Sequence, residues 1–88
     1  MPIVSQFYGI IVRMNFNEDT KHHKAHLHAY YAEYKAVFDF NANILEGYFP
    51  NKQKKMLEVW NSIHKEELEA LWKTMRTHND FFKINPLQ

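Results

Sequence analysis

The chain has no cysteine and only two glycines and three prolines among its 88 residues. Without cysteine it can form neither a disulfide framework nor a thiolate metal site, which fits a reducing compartment. No apolar run approaches the roughly 20 residues that cross a bilayer. Residues 1–6 lack the basic and apolar segments of a signal peptide. We therefore expect a cytoplasmic protein that does not enter a membrane.

The chain also lacks a charge bias, because 11 Lys and Arg stand against 10 Asp and Glu, for a net charge of +1. Overall charge thus gives no reason to expect nucleic-acid binding. The six histidines would make the chain more positive near about pH 6, since free imidazole titrates near 6.5. Aromatic residues make up 16% of the sequence, and they can supply the core of one domain that spans residues 1–88.

Alternation of apolar and polar residues predicts four strands. The first covers residues 7–16, with Arg13 on its wetter face. The others cover about residues 26–31, 34–40 and 44–49. Because the gaps between the last three strands are short, we expect them to form an antiparallel meander.

The turns of this meander predict its register. The turn at residues 32–33 places His26 opposite Asp39, and the turn at residues 41–43 places Asp39 opposite Glu46. One face then carries the apolar side chains of Leu27, Ala29, Tyr31, Tyr34, Ala36, Phe38, Phe40, Leu45 and Phe49. The other carries His26, His28, Tyr30, Lys35, Val37, Asp39, Glu46 and Tyr48.

Residues 51–77 are good helix formers without glycine or proline. Their apolar residues recur at three- and four-residue spacing, which predicts an amphipathic helical segment that covers one face of the sheet. The phase of this pattern drifts around His64, so one long helix and two bent helices are both open. Residues 81–86 are apolar enough to add a short edge strand, which Pro86 would limit, or to pack back on the core. The predicted class is α+β.

Two histidines separated by one residue, His26 and His28, project to the same side of their strand. A neighbouring carboxylate orients an imidazole and raises its basicity, as general acid–base catalysis requires. We expect His26 to be the general base or acid, oriented by Asp39 and Glu46. His28 would be a second acid–base or phosphate-binding group. Arg13 would stabilise charge on a phosphate if the first strand pairs with the second.

RNA is a substrate that suits such a face, because Tyr30 and Tyr48 can stack on bases and Lys35 lies beside them. The start of the predicted helix carries three further lysines, Lys52, Lys54 and Lys55. Cations at that position oppose the helix dipole, and contact with nucleic acid would offset this cost. We expect RNA binding or a metal-independent, ribonuclease-like activity. The alternatives are a plain solvated face and a non-catalytic protein-interaction module.

A metal site is a further alternative. His22, His26 and His28 could supply the three protein ligands of a zinc ion with one open position. Asp39 or Glu46 could then be a fourth ligand or orient one of the histidines.

A combination of motifs extends along nearly the whole chain: Met1-Pro2-Ile3-Val4, Phe7-Tyr8-Gly9-Ile10, His26-Leu27-His28-Ala29-Tyr30, Glu33-Tyr34, Ala36, Leu45-Glu46-Gly47, Pro50, Trp60, His64-Lys65-Glu66-Glu67-Leu68 and Trp72. In this combination the chain resembles a known family of small bacterial proteins, DUF4160. Members usually carry a histidine and two prolines before the paired histidines. Here His22 matches that histidine, but Lys24 and Ala25 stand in place of the prolines.

The family name records no assigned function, yet its members have been suspected of forming toxin–antitoxin pairs. The resemblance therefore implies a cognate small protein from a neighbouring gene, and a toxin-like activity directed at RNA. An exposed strand edge would also allow the chain to form a homo-oligomer.

Overall fold

The computed structural model describes residues 1–16 and 24–88. Its elements are β1 (Ile3–Phe7), β2 (Ile10–Arg13), β3 (His26–Tyr31), β4 (Tyr34–Asp39), β5 (Ile44–Gly47), α1 (Asn51–Ile63) and α2 (Lys65–Thr77). The strands form one antiparallel sheet in the order β1-β2-β3-β4-β5. The α+β class is confirmed, and so is the meander, but the predicted count of four strands is wrong because the described residues already form five.

The extra strand comes from a hairpin inside the segment that was predicted as a single strand. Tyr8 and Gly9 form its two-residue turn, with φ angles of 49° and 82°. Positive φ at both central residues is the geometry that matches the twist of paired strands. Phe7 and Ile10 are therefore partners across the turn, and both are buried in the core.

The predicted register of β3 against β4 is confirmed, with His26 opposite Asp39 and Tyr31 opposite Tyr34. The predicted register of β4 against β5 is wrong, because Glu46 faces Val37 rather than Asp39. The cause is a turn that begins earlier than expected, since Asp39 already pairs with Asn43 through a backbone hydrogen bond of 3.0 Å. A bulge beside Val37 then shifts the register once more.

The helical segment consists of two helices separated at His64, whose φ of −110° and ψ of 21° lie outside the helical region. Side chains from α1, α2 and one face of the sheet share one hydrophobic core. Phe7 and Trp60, for example, have ring centroids 5.3 Å apart. Neither helix of the described chain has the length and apolar character needed to cross a bilayer.

Of the two alternatives for residues 81–86, the structure shows packing on the core, because Ile84 is buried among the core residues, and no strand forms there. That segment is instead an extended tail, which donates one backbone hydrogen bond of 3.0 Å from Ile84 N to Val4 O of β1. The indole Nε1 of Trp60 donates a second bond of 2.8 Å to the tail at Asn85 O. The tail thus lies between the edge of the sheet and α1.

Candidate functional site

We call the sheet surface opposite the shared core the outer face; it carries Arg13, His26, His28, Tyr30, Lys35, Val37, Asp39 and Glu46 at alternate strand positions.

A cross-strand row of side chains crosses the outer face. Arg13 is the partner of His28, His28 is the partner of Val37, and Val37 is the partner of Glu46. Neighbouring strands lie about 4.8 Å apart, so the backbones of His28 and Glu46 are separated by roughly 10 Å. The pairing of the first predicted strand with the second, which the sequence left open, is therefore present, and it places Arg13 in the row. Glu46 belongs to the row of His28 and not, as predicted, to that of His26.

A pocket of about 300 Å³ opens over this row, and we call it the groove. Its lining residues are Met1, His28, Tyr30, Lys35, Ala36, Val37, Glu46 and Gly47. Arg13 lies at its side, where its Nη1 donates a hydrogen bond of 2.7 Å to the Met1 carbonyl oxygen. The same guanidinium lies 5.9 Å from the centroid of the Tyr30 ring. The groove thus brings an imidazole, a carboxylate and two cations to one surface.

His26 shares the strand and the face with His28 but has a different environment. Its side chain is only 1% exposed, and its Nδ1 lies 2.7 Å from the Lys24 carbonyl oxygen. The Trp72 ring of α2 packs against it, with ring centroids 5.1 Å apart. The structure therefore places His26 under a helix residue rather than among the lining residues of the groove.

Asp39 lies opposite His26, yet its carboxylate is committed to the turn after β4. Oδ1 accepts hydrogen bonds of 2.9 Å from the backbone N–H groups of Asn41 and Asn43. Oδ2 accepts a bond of 3.1 Å from the Asn43 side chain and lies 3.6 Å from Lys24 Nζ. Asp39 therefore has a role in turn formation, and its role in orienting the His26 imidazole stays a prediction.

Burial alone would raise the pKa of the Asp39 carboxyl group. The hydrogen bonds from Asn43 and Asn41, together with the nearby Lys24 ammonium, favour the ionised form and outweigh burial. The net result is a pKa below the ordinary value of 3.8. We call this region, comprising His26, Asp39 and the covering Trp72, the closed end of the outer face.

The predicted base-stacking residues lie in different places. Tyr30 lines the groove. The Tyr48 side chain is 65% exposed, and its ring centroid lies 5.6 Å from that of Tyr34. Since Tyr34 points toward the core side of the sheet, Tyr48 stands apart from Tyr30.

The predicted lysines are likewise divided. Lys35 lines the groove, whereas Lys52, Lys54 and Lys55 lie near the start of α1. Lys54 forms a salt bridge of 3.1 Å with Glu58. Because α1 packs on the core side of the sheet through Trp60, this lysine cluster does not line the groove.

The zinc alternative stays a prediction, because His22 lies outside the described residues. His26 and His28 have ring centroids 5.5 Å apart. Among residues 1–16 and 24–88, no three His, Asp or Glu side chains are grouped so that they could hold a metal ion. Stoichiometric zinc in the purified protein, lost in the His26→Ala, His28→Ala double variant, would support the alternative.

Sequence reasoning missed two contributors to the outer face. Met1 reaches the groove because β1 folds back on β2, and the unrecognised Tyr8–Gly9 turn hid this arrangement. Trp72 belongs to the amphipathic helical segment, and the spacing of apolar residues there carries no information about the end of the sheet that Trp72 covers.

Comparisons with known proteins bear on the family of the chain. A search of curated proteins and a search of solved structures each gave no match. A family model described as a domain of unknown function, DUF4160, matches residues 9–73. The matched segment includes Arg13, His28, Tyr30, Lys35 and Glu46 of the outer face. The chain therefore belongs to the DUF4160 family.

Proposed function

We propose that the protein is a cytoplasmic, toxin-like component of a two-protein module and that it binds and cleaves RNA in the groove. The observation that carries this proposal is the row that runs from β2 to β5 through Arg13, His28, Val37 and Glu46, over a pocket of about 300 Å³. The second component of the module would be the product of a neighbouring gene.

Metal-independent cleavage of RNA needs a base, an acid and a cation around one phosphate. In the proposed reaction Glu46 takes the proton of the ribose 2′-OH, whose oxygen forms a bond to phosphorus. The bond from phosphorus to the 5′-oxygen breaks, and the protonated His28 imidazole gives its proton to that leaving oxygen. Arg13 stabilises the extra negative charge on the phosphate. The products are a 2′,3′-cyclic phosphate and a 5′-hydroxyl end.

The remaining lining residues favour single-stranded RNA. An exposed strand of RNA can place a base on the Tyr30 ring, as aromatic side chains do in other RNA-binding sheets. Lys35 lies opposite Tyr30 on the neighbouring strand and can contact a phosphate. Paired bases inside a duplex are not available for such stacking.

The direct test is cleavage of single-stranded RNA by the wild type and by His28→Ala and Glu46→Gln. We expect cyclic-phosphate and 5′-hydroxyl products from the wild type, and a loss of about 10²–10⁴-fold in rate from each substitution. Tyr48→Ala is the matched control, because this exposed residue lies outside the groove; its rate should stay within about twofold of the wild type. Equal rates in all four proteins, or no cleavage by clean wild type, would refute the enzymatic proposal.

The module itself is tested in cells. Expression of the chain alone should arrest growth, and co-expression of the neighbouring gene should relieve the arrest. His28→Ala should grow in both conditions. Growth arrest that persists in His28→Ala would separate toxicity from the groove and contradict the proposal.

A second candidate is a non-catalytic module that binds a partner protein. It is favoured by two exposed apolar residues one turn apart on α1, Val59 at 51% and Ile63 at 62% exposure. This candidate predicts a co-purifying partner whose binding survives His28→Ala and is lost in a Val59→Glu, Ile63→Glu double variant. Partner binding that is lost in His28→Ala and survives in the Val59→Glu, Ile63→Glu double variant would contradict this candidate and favour the groove as the functional site.

A further inference from the structure

The closed end and the groove are joined by a series of ring contacts. Trp72 of α2 contacts His26, and His26 contacts His28. We infer that Trp72 and His26 are positioning residues, which hold the His28 imidazole in the orientation that proton transfer requires. This inference rests on the proposed cleavage of RNA in the groove.

Trp72 is itself fixed from two sides. The guanidinium carbon of Arg76 lies only 3.2 Å from the centroid of the Trp72 ring, which is the stacking that arginine forms on aromatic faces. The Phe40 ring meets Trp72 at 85°, with centroids 6.1 Å apart. Because Arg76 and Trp72 share α2 while Phe40 follows β4, these contacts tie the helix to the end of the sheet.

His26 is held just as firmly between Trp72 and the strand. It is 1% exposed, and its ring meets that of Trp72 at 60° with centroids 5.1 Å apart. Its Nδ1–H donates to the Lys24 carbonyl oxygen at 2.7 Å, a bond that fixes both the tautomer and the plane of the ring. The His26 ring is therefore a rigid surface, which we call the wall, for a side chain that packs on its other side.

His28 is what packs there. The two imidazole rings meet at 69° with centroids 5.5 Å apart, an edge-to-face arrangement of the kind that aromatic rings prefer. One side of His28 therefore faces the fixed ring of His26 and another faces the groove. Since small misplacements of a catalytic group cost large factors in rate, this wall matters for the reaction.

Substitution of His26 by phenylalanine separates positioning from proton transfer. Phenylalanine keeps an aromatic wall but has no titratable nitrogen. We expect His26→Phe to retain kcat within about threefold, and His26→Ala to lose about tenfold in kcat with little change in KM. If His26 were itself the base or acid, His26→Phe would be as inactive as His26→Ala, and the inference would be overturned.

A double variant tests whether His26 acts through His28. In the His28→Ala background, His26→Ala should cause no further loss of rate, because the group that it positions is already gone. A second, multiplicative tenfold loss would show that His26 acts independently of His28 and would contradict the inference.

A spectroscopic test needs no activity. In ¹³C-labelled protein, the ring signals of His28 should carry the ring-current shift of a fixed aromatic neighbour. The His28 signals should keep this shift in His26→Phe and move toward the values of an exposed histidine in His26→Ala. In Trp72→Phe they should move part of the way. The Trp72→Phe variant remains a test if His26→Ala fails to fold. Tyr48→Ala should leave them unchanged. Unchanged His28 signals in His26→Ala or in Trp72→Phe would overturn the inference, whereas the expected shifts in a protein that cleaves no RNA would leave the positioning in place and refute the proposed function instead.

Discussion

The closed end and the groove occupy the same face of the same sheet, and they differ in what covers them. His26 and His28 are two residues apart on β3, so strand geometry gives their side chains one direction. Trp72 covers the first, whereas the second lines an open pocket. Alternation along a strand thus decides the face of a residue, while a side chain from a distant helix decides its access to a ligand.

Among the substitutions that test the difference between the closed end and the groove, we expect Trp72→Ala to have the largest effect on stability. Removing the indole should lower the free energy of unfolding by about 3 kcal/mol, at the low end for tryptophan because the side chain is only half-buried. Chemical denaturation measures the change. Tyr48→Ala, which removes a more exposed aromatic ring, should cost far less, and equal costs would mean that Trp72 does not hold the closed end.

Gly47 lines the open groove, yet we expect a substitution there to lower the stability of the fold. Gly47 has a φ of 90°, and a Cβ at this position would lie 2.5 Å from the Lys35 carbonyl oxygen. We expect Gly47→Ala to cost about 2 kcal/mol, because both the backbone strain and the clash act on the folded state. Gly9→Ala is the control, since its Cβ would meet the movable ring of Tyr31 at 3.1 Å. A larger cost for Gly9→Ala would contradict this ranking.

Asp39→Asn tests the closed end through its charge. The pKa of Asp39 is lower in the folded protein than its ordinary value of 3.8, so the ionised carboxylate stabilises the fold above about pH 4 and this contribution is lost as the pH falls through the folded-state pKa. We expect the variant to be less stable at pH 7 by about 1.5 kcal/mol. The difference between the two proteins should shrink in urea titrations below pH 4, and a difference that is constant with pH would contradict the assignment.

The smallest effect on stability is expected in the groove. Lys35 is exposed, so Lys35→Ala should change the free energy of unfolding by less than about 0.5 kcal/mol. If Lys35 contacts a phosphate, the affinity of Lys35→Ala for RNA should fall. The slope of the logarithm of the binding constant against the logarithm of the salt concentration should become shallower by roughly 0.7. Lys55→Ala, another exposed lysine but on α1, should leave both quantities unchanged. An equal loss in Lys55→Ala would restore the predicted lysine cluster of α1 as a binding surface.

Local pattern was sufficient to predict the β3–β4 hairpin. Its two short strands have strict alternation and a two-residue gap, so only one register buries the apolar set. The β4–β5 register was missed because the Asp39 side chain turns the backbone earlier than the asparagines suggested. The first hairpin was missed because apolar residues continue on both sides of Gly9 without a typical turn pair.

The candidate site was predicted in part for a related reason. Alternation along β3 and β4 predicts the shared face of His28, Tyr30 and Lys35. Arg13 joins them through the β2–β3 pairing, which the sequence left open, and Glu46 through a register that differs from the predicted one. The burial of His26 depends on Trp72, whose distance along the chain puts it beyond any local pattern.

The hydrogen bond between Ile84 and Val4 has a consequence for how the fold forms. It joins two segments separated by almost the whole described chain, and closing so long a loop costs entropy that other contacts must offset first. We therefore expect the tail to dock on β1 late in folding. Slow hydrogen exchange at the Ile84 amide would then report the free energy needed to undock the tail from β1 and not merely local order in the tail.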